Sequence, residues 1–234
     1  LQIAFKKFRA ADGIWGSPWV GFDQFTKFFN SYMFVRVLKN TIVVSLYSLI
    51  AGFPMPIILA LVLNSLRSDR YRKVAQTITY LPYFISTVVL AFPHLYVWSG
   101  VWQSMGYNSI IYIAALANTD PELHEAAEVD GASRFQRVIH IDLPTILPTA
   151  SILLIMNCGN IMNVGFEKAF LMQNNVNIET SEVISTYVYK VGLGNTVTDF
   201  SYATAIGLFN SIINLAMIIV VNTITKRLNG NSLF

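Results

Sequence analysis

The chain has 234 residues, of which 54% are hydrophobic and only 12% charged, with a formal net charge of +3. A soluble domain carries roughly 25% charged residues, and the charges here are bunched between long uncharged runs, so the composition excludes a soluble domain and describes an integral membrane protein. The basic excess has a topological explanation and excludes nothing more exotic than nucleic-acid binding, while a lone cysteine, Cys158, excludes an intrachain disulfide and reads as a small packing residue.

Leu1 is not an initiator methionine, so the natural start is expected upstream, and no cleavable signal peptide is visible. Residues 1–35 read as an external or interfacial segment with no run long enough to span a bilayer. Trp15-Gly16-Ser17-Pro18-Trp19 predicts a turn with two interfacial anchors. Phe22, Phe25, Phe28 and Phe29 recur at helical spacing, predicting a short helix at the membrane surface that anchors the chain or meets an external binding protein.

Residues 36–234 read as the membrane domain. A first span is predicted from about Asn40 to Leu66, kinked by Gly52, Pro54 and Pro56. It ends at Arg67-Ser68-Asp69-Arg70-Tyr71-Arg72-Lys73, a basic loop that the positive-inside rule makes cytoplasmic. From Val74 to Ala117 nothing is formally charged, His94 aside. That stretch is too long for one span of about 20 residues and fits two, with a discontinuity near Leu90-Ala91 where an external connection is expected to be deleted or omitted. A fourth span is predicted from Ile146 to Val164. Glu167 and Lys168 follow it and are placed at the outer edge, since a charge at the bilayer centre costs roughly 2.5–3.5 kcal/mol. Gln173 to Asp199 form an external loop with a short helix near Ser181 to Val191. The last span, Tyr202 to Thr225, is closed by Lys226-Arg227 on the inside.

Five spans with that orientation put Leu1 outside. Lys and Arg then number eight inside (Arg67, Arg70, Arg72, Lys73, Arg134, Arg137, Lys226, Arg227) and eight outside, so density in one short loop, and not the total, favours the orientation.

Between the third and fourth spans, residues 118–146 have the grammar of two short helices. Asp120 is placed to cap the first, Pro121 fits its first position, and Glu122 and Glu125 lie near the positive end of its dipole. Gly131 supplies a left-handed residue to end it, Ser133 and Gln136 form a capping box for the second helix, and Pro144 is expected to stop that helix.

In this loop Glu125-Ala126-Ala127, three residues, Gly131, nine residues, Ile141-x-Leu143-Pro144 resembles the signature loop of the transmembrane subunits of bacterial ATP-binding-cassette importers, with every fixed position met. Trp15 to Phe22, Tyr80 to Phe84 and Tyr202 to Asn210 are similar to the oligosaccharide-importer permeases, of the polysaccharide and aldouronate type and maltose-permease-like. The resemblance implies an all-α type I importer permease core of six helices, five of them visible, with one upstream of Leu1. It implies a cytoplasmic coupling helix whose Glu125, Ala126, Ala127, Asp130, Gly131, Ile141, Leu143 and Pro144 form the ATPase-coupling set. It further implies a bacterial inner-membrane location with a cytoplasmic C-terminus, an external solute-binding protein, a second related permease subunit and separate ATPase subunits that hold ATP and Mg. Physically, two adjacent alanines allow close approach in a helix-in-groove contact, although alanines also simply favour helix.

No Gly-x-x-x-x-Gly-Lys-Ser/Thr loop is present, so no ATP site is expected in this chain. His124-Glu125-Ala126-Ala127-Glu128 has Glu128 where a helical zinc motif needs its second histidine, and no metal or catalytic set is expected. For the translocation path, Asn157, Asn160 and Asn163 recur every three residues on the fourth span and Asn210 and Asn214 lie four apart on the last. Neutral amides suit sugar hydroxyls because they donate and accept without an ion's desolvation cost. Tyr83, Trp102 and Tyr107 offer faces on which sugar rings stack. Asparagines also bond from helix to helix and aromatics also fill gaps. Few basic residues fall inside the spans, so attraction to an acidic polysaccharide is not evident there. An ion-gradient-driven transporter or channel is the alternative, but it needs intramembrane carboxylates, and none lies well inside a span.

Overall fold

A chain crossing hydrocarbon must satisfy its backbone groups within the segment, which leaves helices as the means for a single chain without a closed barrel. A computed structural model describes residues 1–66, 68–84, 96–194 and 198–229, and among these it is helical with no β-strand, only two isolated bridges, Lys6 to Trp19 and Arg9 to Gly13. Arg67, His94 and the joint near Leu90-Ala91 lie outside the described residues. Among the described residues three helices are long and apolar enough to cross a membrane: Tyr32–Asn64, Arg134–Gly159 and Phe200–Arg227. Tyr96–Leu116 has the length, at 21 residues, but Ser, Gln and Asn dilute it. By contacts the chain falls into two units.

One unit gathers residues 1–46, 96 and 159–219 among those described. Its core is Phe28, Met33, Val37, Met162, Ile184, Tyr202 and Ile206. The four phenylalanines divide as helical spacing dictates, on a helix at Asp23–Phe29. Phe25 packs with Ala4 and Ala205, and Phe28 is fully buried, whereas Phe22 and Phe29 stay exposed. The helix expected to lie on the membrane surface thus has one face against the last span. The Trp15–Trp19 turn is built around a buried ammonium: Lys6 Nζ donates to the Ile14 and Trp15 carbonyls at 2.8 and 3.2 Å and lies over the Trp19 ring. Both tryptophans remain exposed.

The first span starts at Tyr32, eight residues before the expected Asn40. Hydropathy drops Arg36 and Lys39, but a helix does not end where hydrocarbon does. Arg36 pairs with Glu179 at 3.5 Å, and Asn40 donates to the Glu179 and Glu182 carbonyls at 2.9 Å each. Glu167 and Lys168 do not act as a pair. Glu167 is exposed, while Lys168 is 8% exposed, donates to the Tyr96 carbonyl and sits 4.7 Å from the centroid of its ring. Burial brings the Lys168 ammonium down to about 8 from 10.5. The short helix expected near Ser181 to Val191 forms as Ile184–Tyr189 and runs on into a wide turn, Lys190–Gly194.

The other unit comprises residues 47–84, 97–158 and 220–229 among those described, with Ala60, Tyr112, Leu116, Ile146 and Ala150 at its core. The predicted kink coincides with an interruption: one helix ends at Gly52 and another, Pro54–Asn64, begins past Phe53, where proline has no N–H to give. The basic run is not a loop. Arg70, Arg72 and Lys73 ride the first turns of a helix, Asp69–Tyr80, whose Asp69 opposes the positive end of the dipole. Near its end this helix crosses Tyr96–Leu116 at almost backbone contact, where a Cβ on Gly106 would lie 1.9 Å from the Thr79 carbonyl oxygen.

Gly106→Ala is therefore expected to destabilise by about 1–3 kcal/mol, read as a lower Tm in detergent, while Gly207→Ala, with nothing within 4 Å of its Cβ, leaves the Tm unchanged or higher. Lys168 binds its proton more weakly folded than unfolded. Its burial cost is therefore fully present below pH 8 and relieved as pH climbs toward 10.5, so stability rises across that window. Lys168→Met should remove this rise, measured as Tm against pH.

Candidate functional site

The element between Tyr96–Leu116 and Leu143–Gly159 folds by local rules. Asp120 accepts the Glu122 N–H at 3.0 Å, Pro121 is the first residue, and the helix runs Pro121–Val129. Gly131 has φ of +79°, which lets the chain close with Ala132 N–H on the Ala127 carbonyl at 2.8 Å and Gly131 N–H on the Glu128 carbonyl at 3.1 Å. Ser133 and Gln136 exchange their capping-box bonds at 3.3 and 2.7 Å, starting Arg134–Arg137.

Pro144 does not stop this second helix. The chain passes through a wide turn, Val138–Asp142, into Leu143–Gly159, and Leu143 N–H reaches back five residues to Val138. An ordinary turn would drive the Pro144 ring against the carbonyl four residues earlier. Widening the turn just before it lets helix continue from the loop into the span, and such widened turns recur at functional sites. Ile141, Leu143 and Pro144 therefore lie on the continuous stem of the fourth span, while Glu125, Ala126, Ala127, Asp130 and Gly131 belong to the preceding helix and its turn.

No residue of Pro121–Val129 is buried. Glu125, Ala126 and Val129 are exposed, Val129 almost wholly, whereas His124 and Ala127 are half-buried. The helix thus has an outer face with nothing against it and an inner face carrying His124 and Glu128. His124 Nε2 lies 3.2 Å from Asp142 Oδ1, and Glu128 pairs with Arg137 at 3.3 Å. Asp142, with 4% of its side chain exposed, is also approached by Asn64 Nδ2 at 3.4 Å. A cleft lined by Asn64, His124, Glu128, Arg134, Arg137 and Asp142 results. Sequence reasoning missed this cluster. Its one visible signal is Asp142, an acid standing alone where the chain enters an apolar run.

The asparagine stripe is not a helical stripe. The fourth span ends at Gly159, short of the expected Val164, so only Asn157 is on it, bonded to the Leu153 carbonyl at 2.8 Å. Asn160 and Asn163 lie in the turn beyond, where Asn163 donates to Asn160 at 3.3 Å and Asn210 to Asn163 at 2.9 Å. Asn214 is buried, and its oxygen accepts the Met162 N–H at 3.0 Å. That bond lets the backbone leave the helix at Gly159 without an orphaned donor. In the other unit Tyr83 and Tyr107 stack on each other, with centroids 4.0 Å apart, both remaining partly exposed, and Trp102 is 43% exposed.

The described chain thus combines helices long and apolar enough to cross a membrane with one capped helix that has no buried residue. The family model for the binding-protein-dependent transport system inner membrane component matches residues 52–230. The chain belongs to that family, as a multi-pass, non-catalytic permease subunit of an ABC importer whose ATPase is a separate subunit. Protein LplB of Bacillus subtilis (strain 168) is 37% identical, with 100% of this chain and 84% of LplB covered. YteP of the same organism, a polygalacturonan/rhamnogalacturonan transport system permease protein, is 34% identical, with 100% and 83% covered. Both alignments run to 268 positions over the 234 residues, so each carries gaps where the relative is longer. A chain in the crystal structure of a bacterial ABC transporter involved in import of the acidic polysaccharide alginate superposes with a TM-score of 0.86 at 37% identity, covering 97% of this chain and 87% of that one.

Gly131 is the joint that ends the exposed helix, with open space around it but a left-handed backbone. Gly131→Val should cost about 1–2 kcal/mol of local stability, seen as roughly tenfold faster amide exchange across Pro121–Val129.

Proposed function

We infer that this permease subunit carries oligosaccharides, acidic ones included, and that the Pro121–Asp130 element receives the push of the ATPase. The sugar reading rests on the names of relatives that cover the whole chain or nearly so: one transports polygalacturonan and rhamnogalacturonan, and the matching crystal structure belongs to an alginate importer. A second alginate importer structure holds a pentasaccharide-bound periplasmic protein, which supports an external binding protein as the source of substrate.

The coupling reading rests on one observation. The helix that carries Glu125, Ala126 and Ala127 has no fully buried residue and is nevertheless capped at both ends. An exposed, preformed helix of that kind suits a groove on a rigid partner. Glu125 pairs there with a basic residue, and Ala126 lets the backbones approach. Two ATPase subunits holding ATP and Mg close, displace this helix, and switch the pathway between inward- and outward-facing states. A second, related permease supplies the other half of the pathway. The basic run, this element and the C-terminus lie in the cytoplasm, and the helices Asp69–Tyr80 and Tyr96–Leu116 belong to the second and third of five spans. Substrate meets the Asn160–Asn163–Asn210 chain in one unit, and Asn157, Trp102, Tyr83 and Tyr107 in the other. Neutral amides and aromatic faces recognise sugar rings without selecting their charge, so selection for acid falls to the binding protein.

The test is Glu125→Arg in the purified transporter with its partners. ATPase retention or binding-protein-stimulated ATP hydrolysis should fall by at least roughly tenfold, the equivalent of about 1.4 kcal/mol. Unchanged assembly and stimulation would overturn the coupling role. Uptake of tetragalacturonate that survives inactivation of the ATPase would instead favour a gradient-driven carrier.

A further inference from the structure

A helix that is pushed must drag the membrane spans with it, and here little apolar packing is on hand to make that connection, Ala127 being its one half-buried apolar side chain. Pro121–Val129 has no buried residue. Besides the chain itself, the side-chain links from its inner face are Glu128 to Arg137 and His124 to Asp142. The first is an exposed ion pair, with 70% of the Glu128 side chain in solvent, and such pairs contribute little and tolerate sliding. The second ends on Asp142, with only 4% of its side chain exposed. His124 Nε2 lies 3.2 Å from its Oδ1, within hydrogen-bond reach, and the same carboxylate oxygen is approached by Asn64 at 3.4 Å. Asp142 closes the wide turn that leads into Leu143–Gly159, and Asn64 is the last residue of Pro54–Asn64. One buried carboxylate oxygen therefore faces the exposed helix and the ends of two membrane segments.

We propose that Asp142, held between His124 and Asn64, is a positioning residue that transmits displacement of the exposed helix to the membrane spans. Directional bonds suit that task, because a helix sliding on an apolar face keeps its burial, whereas a side chain moving past a charge-assisted bond loses it. The proposal rests on the coupling reading above, and the two can fail separately.

The measurement is hydrogen–deuterium exchange on the complete transporter in nanodiscs, with and without a non-hydrolysable ATP analogue and Mg. In the unaltered protein the nucleotide is expected to change exchange both in Pro121–Val129 and in Leu143–Gly159. In His124→Ala the change in Pro121–Val129 should persist, while that in Leu143–Gly159 falls by roughly tenfold, the effect of losing one charge-assisted bond. His124→Gln keeps an N–H donor near the same position and should restore it. Asp142→Ala combined with His124→Ala should be no worse than the worse single variant, because both break one contact. Undiminished response of Leu143–Gly159 in His124→Ala, failure of His124→Gln to do better than His124→Ala, or release of the ATPase by His124→Ala would each overturn the proposal. A nucleotide that leaves Pro121–Val129 unchanged in the unaltered protein removes the coupling reading itself, and the transmission role with it.

Discussion

Hydrocarbon offers a peptide group no water to bond, so the backbone must complete its own hydrogen bonds wherever the chain bends within or beside the membrane. Much of the polar chemistry in this subunit serves that need. Asn214 takes the N–H of Met162 just beyond the end of the fourth span, and Thr41 takes that of Ile184 at 2.9 Å. Asn40 gives two bonds to the carbonyls on either side of a turn at Glu179 and Glu182. In each case a side chain on a long helix completes a short irregular segment. Polar residues in a membrane span are thus divided between lining a path and mending the backbone, and spacing alone does not sort them.

That division explains what was legible in the sequence and what was not. The two short helices Pro121–Val129 and Arg134–Arg137 were legible down to their caps, because Asp120, Gly131, Ser133 and Gln136 act on groups within three residues of themselves. The helical class and the three strongest spans followed from hydropathy, which is also a local property. Pro144 was misread because its rule assumes an unbroken ladder, whereas the preceding turn widened to receive it. The asparagine triplet was misread because the helix ends at Gly159, and what makes that exit tolerable is Asn214, some fifty residues away. Lys168 was read by charge alone, and Asp142 was passed over. Where they sit depends on Tyr96 and His124, partners that no window of sequence brings beside them.

The two faces of the Pro121–Val129 helix differ in character. The inner face is polar and specific, ending on a carboxylate that is almost closed to solvent. The outer face offers an acid, an alanine and a bare valine, with no internal partner to give up. Binding on the outer side therefore requires no internal contact to be broken first. The contact of Gly106 on the Thr79 carbonyl lies in the same unit and brings two helices to backbone distance, a feature that favours rigid-body movement of that pair.

Nine residues in isolation are too few to stay helical in water, since nucleation is costly and propagation short. Here the carboxylate cap at one end and the left-handed turn at the other hold the segment in shape before any soluble protein arrives. Ordering a disordered loop on contact would subtract from every association event. A prefolded one leaves recruitment governed by surface fit and diffusion. On the coupling reading proposed above, the membrane subunit releases its motor and takes it up again without refolding, so that assembly is reversible at no cost to the shape of this segment.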